Sequence, residues 1–228
     1  VIHATKLLRP GLLEGVSLLA AGSPADTSSY GEAVAEAFSR LGAQVSTCLP
    51  HAEDEAVADR DVTHARAEMG AIDVLVVDGA DLFAHALDAR MEPDGGVGGE
   101  GSEERAPATS TALRACMDTT WNITRAVVNL AFLAPEPSSA RPLARLVYLA
   151  PSPNAGEHAR AVRAGLENLA RTLSVEWARH GITIVAIAPG EHTSAEEVAA
   201  VTAYLASPAG AYFTGCLLDL RGAIGAPA

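Results

Sequence analysis

Lysine is all but missing. Lys6 is the only one, and sixteen basic residues stand against twenty-eight acidic ones, for a formal charge of −12. Binding a phosphate backbone needs clustered Lys and Arg, so the balance argues against a nucleic-acid partner. Cysteine is scarce too: Cys48, Cys116 and Cys216 are odd in number and far apart. That excludes a zinc or paired-thiol redox motif, leaves no metal site to expect, and fits reduced thiols in a cytoplasmic protein. No apolar run reaches ~18 residues, and no charged-then-apolar leader is present. Neither a membrane span nor a signal peptide is expected. What remains is 49% hydrophobic and 19% charged over 228 residues, the composition of one globular α/β domain spanning 1–228.

Apolar runs and helical repeats alternate along the chain. VSLLAAG (16–22) suits a buried parallel strand, and GEAVAEAFSRLG (31–42) puts Val34, Ala35, Phe38 and Leu41 on one helical face before a glycine stop. AQVSTCL (43–49) reads as a strand, residues 51–69 as one helix, and IDVLVVDGAD (72–81) as a central strand followed by a turn. Residues 90–110, rich in Gly, Glu and Pro, have nothing to bury and read as a mobile surface loop. Helices are predicted over 112–134, 158–181 and 195–207, and strands over 144–151, 182–190 and 216–222. The alternation predicts a Rossmann-like, doubly wound parallel sheet covered by helices on both faces.

Three phrases carry a family resemblance: IDVLVVDGAD, AGLENLARTLSVEWARHGITIVAIAPG and SPAGAYFTGCLLDLRGA. With the order of elements, they resemble the short-chain dehydrogenases/reductases over nearly the whole chain. The resemblance implies that fold and an oxidoreductase ancestry using NAD(P). It also implies a departure, because the segment after the second strand is too short for the family's helix, strand and helix. The Pro189–Thr193 turn, moreover, passes straight to a helix where the family has a substrate lid.

The cofactor positions are depleted. Gly22 matches the first glycine of the family's TGxxxGxG and Gly31 the last, but the interval is longer, Ser29 replaces the middle glycine and Pro24 removes a donor. Gly22, Ser23 and Ser28 remain able to meet a phosphate; the plainer reading is a turn closing onto a helix. The second strand ends Cys48-Leu49-Pro50-His51, with neither the acidic residue that reads an NAD ribose nor the arginine that suits NADP. Asp61-Val62-Thr63 resembles the family's adenine-contacting segment but falls in a predicted helix. Val77-Asp78-Gly79-Ala80 stands where the family has Asn-Asn-Ala-Gly, and Thr193 lies near the family's carboxamide-binding threonine.

Carbonyl reduction needs a proton donor of lowered pKa beside the carbonyl oxygen. The family supplies it with Tyr-x-x-x-Lys. The resemblance puts Ala159 at the tyrosine and Arg163 at the lysine, Pro151 at the serine with Ser152 one residue late, and Cys116 at the helical asparagine unless Asn122 substitutes.

Three functions follow. The first is a catalytically degenerate subunit with no bound cofactor, pairing with itself or with a related active chain through helices 112–133 and 158–180. There Leu166, Leu169, Leu173 and Trp177 recur at helical spacing, although such a stripe also packs on its own sheet. The second is an NAD(P)-dependent enzyme with a displaced site built from Tyr148, Ser152, His158 and Arg163, His158 serving as acid. The third is a nucleotide or small-molecule sensor in the remnant crevice.

Overall fold

The computed structural model describes residues 8–22, 30–49, 54–91, 108–134 and 143–221. Six strands form one parallel sheet: β1 (Ser17–Ala21), β2 (Gln44–Cys48), β3 (Val74–Asp78), β4 (Arg145–Leu149), β5 (Thr183–Ala188) and β6 (Cys216–Asp219). Their order is β2-β1-β3-β4-β5-β6, so β1 and β3 lie side by side at the point where the winding reverses. The inner strands β1, β3 and β4 are buried along their whole length, as a sheet covered on both faces demands.

Side chains that alternate along each strand serve two separate cores. Leu18, Ala20, Val74, Val76, Val147, Leu149, Val185 and Ile187 face α1 (Tyr30–Arg40) and α6 (Ala195–Ala206). Leu19, Leu75, Val77, Leu146, Tyr148, Ile184 and Ala186 face α2 (Glu55–Met69), α4 (Ala108–Val127) and α5 (Ala159–Trp177). This is the doubly wound architecture. It is shortened where expected: α2 alone carries the chain from β2 to β3, and residues 189–194 alone join β5 to α6. Asp61, Val62 and Thr63 lie inside α2.

Three expectations need correction. No turn follows β3, because α3 (Gly79–Met91) starts at once. The reason is local. Asp78 acts as N-cap, its Oδ1 accepting the amide of Asp81 three residues on at 3.1 Å. Gly79 fits this corner because a Cβ there would lie 2.7 Å from Leu166 Cδ1 and 3.0 Å from the Leu149 carbonyl.

The predicted loop at 90–110 is helical at its ends, where α3 and α4 reach; 92–107 lie outside the described residues. The proposed contact stripe mostly faces inward: Leu166 and Leu173 are buried, while Leu169 and Trp177 pack partly buried on the same core. Among the described residues, the large apolar side chains that α4 and α5 leave exposed are instead Trp121 and Val175. Past Val127 the α4 helix widens into a π segment (Val128–Phe132), and Arg66 of α2 donates to the Leu130 carbonyl within it at 2.8 Å.

Candidate functional site: the crevice at the strand ends

Doubly wound sheets hold ligands at the C-terminal ends of their strands, near the reversal of winding. In this chain that region gathers Gly22 after β1, Asp78 at the end of β3, Pro151 after β4, Pro189 and Gly190 after β5, and Asp219 and Arg221 at β6. The heads of α1 and α5 complete it.

Asp78 is 1% exposed, and its carboxylate joins two helix starts. Oδ1 caps α3, and Oδ2 accepts the Gly31 amide in the first turn of α1 at 2.6 Å. Burial pushes the carboxyl up to about 6, against the opposing pull of the Gly31, Asp81 and Ala80 amides. Gly22 and Gly31 close around it. A Cβ on Gly31 would meet Asp78 Oδ2 at 3.2 Å, and one on Gly22 would meet Asp81 Oδ2 at 3.2 Å and Asp78 Cβ at 3.3 Å. These sequence-predicted positions therefore do come together, but on each other. Ser29, with Ser23, Pro24 and Ser28, lies outside the described residues.

Arg163, on α5, is buried, and one guanidinium nitrogen donates to the carbonyls of Pro151 at 2.7 Å and Pro189 at 2.8 Å. It laces the turns after β4 and β5 together. Desolvation lowers its pKa, Arg221 lowers it further, and Asp219 and Tyr30 oppose them. Tyr30, at the head of α1, is the phenol that Arg163 and Asp78 both act on. Its pKa is raised, first by burial and then by Asp78, which makes it a weaker acid. At the rim, Arg221 binds Asp219 through two nitrogens, and that hydrogen bonding holds the Asp219 carboxyl down at about 2.

Thr193 is likewise engaged within the fold. Its hydroxyl accepts the Gly190 amide at 2.8 Å and donates to the Leu220 carbonyl at 3.4 Å. Ala159 is fully buried in the α5-side core. His158 sits at the head of α5 with φ 69°, its Nδ1 3.9 Å from a Glu157 carboxylate oxygen. Ser152 is half-buried after Pro151. Among the described residues no hydrogen bond joins Ser152, His158 and Arg163 to one another.

Tyr148 does not belong with them. Its ring is buried on the α4 side, its hydroxyl meets Thr124 Oγ1 at 3.2 Å, and burial raises its pKa. The strand's alternation places it in the core that α4 and α5 cover, fully buried. Cys116, at the family's asparagine position, is buried with its thiol 3.4 Å from the Gly79 carbonyl, and its pKa is pushed up to about 12. Asn122 is buried in α4.

Among the described residues, the groups that would meet a dinucleotide are engaged within the fold and do not fit one as they stand. The Gly31 amide is taken by Asp78, the Thr193 hydroxyl is engaged on both sides, and α5 offers an arginine held by carbonyls. Sequence reasoning missed Tyr30, Asp81 and Arg221. Only Asp81 left a signal, the Asp-x-x-Asp spacing of a capped helix start.

No protein-family model matches the chain, and no curated protein matches it. Solved structures do. A citronellol catabolism dehydrogenase from Pseudomonas aeruginosa PAO1 is 23% identical, with TM-score 0.68 over 95% of this chain and 98% of that one. A short-chain dehydrogenase from Mycobacterium smegmatis is 20% identical, with TM-score 0.69 over 96% and 97%. A hydroxysteroid dehydrogenase from Escherichia coli is 16% identical, with TM-score 0.66 over 94% and 99%. The described residues have the fold of these short-chain dehydrogenases.

Proposed function

We propose that this chain is a catalytically degenerate short-chain dehydrogenase/reductase that serves as a non-catalytic, cytoplasmic subunit. The observation that carries the reading is the pair Ala159 and Arg163. Where the family presents a phenol, a methyl group is buried in the core, and where it presents lysine, a guanidinium ties two backbone turns. Alanine has no proton to give, and the nearby Tyr30 phenol is a weaker acid than an ordinary tyrosine. Three free cysteines accord with the cytoplasmic setting, and no described helix is long and apolar enough to cross a membrane.

The partner in this reading is a second copy or a related active chain, seated on the outward faces of α4 and α5. Trp121 and Val175, the latter 79% exposed, are the side chains that this reading places at the contact. The alternative with a displaced active site has less support, because Tyr148 is withdrawn into the core and the other three groups are not hydrogen-bonded together.

Three measurements test the reading. Calorimetric titration of the isolated chain with NAD(H) and NADP(H) should show no binding at micromolar affinity, roughly −8 kcal/mol. Carbonyl and alcohol substrates should show no turnover. Light scattering, alone and after co-expression with a related dehydrogenase, should show an assembly that Trp121→Glu or Val175→Glu dissolves without unfolding the chain. Micromolar dinucleotide binding with turnover would establish the enzyme reading instead, and binding without turnover the sensor.

A further inference from the structure

In a dinucleotide fold the pyrophosphate sits at the N-terminus of the helix after β1, where free amides and the helix dipole attract an anion. The corresponding helix here is α1, and its Gly31 amide already holds an anion 47 residues away in sequence. We infer that Asp78 is a built-in replacement for the phosphate, its carboxylate seated on the first turn of α1 so that the chain supplies its own anion and is closed to a nucleotide.

Three features of the geometry support this. The carboxylate is bidentate in function, one oxygen on α1 and the other capping α3, so two helix N-termini converge on a single negative charge. Gly22 and Gly31, the glycines that would let a phosphate approach the backbone, leave only van der Waals room between themselves and the Asp78 and Asp81 side chains. An external phosphate on the Gly31 amide would have to displace Asp78 or lie against it, anion to anion. The charged and titratable groups that act on Asp78 or are acted on by it come from four helices: Tyr30 on α1, Asp81 on α3, Cys116 on α4 and, through Tyr30, Arg163 on α5.

The inference rests on the reading of the chain as one without a cofactor, and adds how the cofactor's seat is filled. Inorganic phosphate is the probe. Thermal midpoints are measured at pH 7.5 in increasing phosphate, with sodium chloride balancing ionic strength, for wild type and Asp78→Ser. The wild type should follow the chloride control. The folded Asp78→Ser chain should melt lower without phosphate and regain roughly 4 °C or more with it. An equal phosphate response in both proteins overturns the inference, because the seat was then open. So does a folded variant indifferent to phosphate, because Asp78 is then only a helix cap.

Should Asp78→Ser not fold, the wild type decides by amide NMR at pH 7.5. The Gly31 resonance should stay still as phosphate is added; a saturable shift overturns the inference, because the seat was then open. Dinucleotide binding by the wild type would sink the cofactor-free reading as well. A wild type blind to dinucleotide beside a variant indifferent to phosphate would sink the inference alone.

Discussion

Arg163 reaches from the second turn of α5 to the carbonyl of Pro189, 2.8 Å away and 26 residues along the chain. The same nitrogen holds Pro151, so one side chain fixes the separation of the turns after β4 and β5. Replacing it with methionine keeps the length but leaves two carbonyls without their donor. Arg163→Met should cost roughly 2 to 4 kcal/mol, read from urea unfolding. Unchanged stability would show that the arginine is not a structural tie.

A second arginine makes a parallel case away from the crevice. Arg145, buried at the start of β4, donates to the carbonyls of Leu205 and Ser207, where α6 ends. It satisfies terminal carbonyls and meets the negative end of the helix. Arg145→Leu should lose about 3 kcal/mol, or roughly 6 to 12 °C of melting temperature at this chain length. Calorimetry checks it, with no change expected in the crevice.

The buried carboxyl of Asp78 gives stability a characteristic dependence on pH. Its native pKa is raised from 3.8 to about 6, so between those values the folded chain holds a proton that the unfolded chain has released. The contribution is complete below the unfolded value, declines as pH rises toward 6, and is gone above it. A rise of about two pKa units corresponds to about 3 kcal/mol. Subtracting the unfolding free energies of Asp78→Asn from those of wild type, from pH 4 to 7.5, should expose that falling arm. Identical pH profiles would refute it.

Restoring the family's tyrosine should fail. Position 159 is fully buried in the core beneath α5, and a phenol there has no room. Ala159→Tyr, alone or with Arg163→Lys, should destabilise the chain by more than about 1 kcal/mol through overpacking and yield no carbonyl reduction. Melting temperature and nicotinamide absorbance are the two readouts, and turnover by the double variant would contradict the expectation.

The sequence made the sheet legible because its inner strands are uninterrupted apolar runs and its helices carry long repeats. VLVVD and TIVAIA could hardly be anything else. It also showed the shortened span after β2 and the abrupt passage from β5 to α6. It hid α3, whose start depends on a side-chain cap in a stretch that reads as a turn. It hid the partner of Gly31 for another reason: a contact across 47 residues leaves no local pattern. The Leu166 and Leu173 stripe misled because periodicity marks an apolar face without saying whether it meets the sheet or a neighbour.

The turn between β5 and α6 has a consequence for timing. Thr193 ties it to Gly190 and to Leu220, and Ser194 and Glu197 lock its far end in a reciprocal cap. Among the described residues, that side of the crevice therefore has a fixed outline, and residues 189–194 are too short and too firmly tied to fold down over an occupant. A small molecule on that side would need no loop to open, and at ordinary association rates one held no more tightly than micromolar affinity stays on the order of a second or less. Any signal read from this crevice would follow the surrounding concentration without delay and keep no record of it.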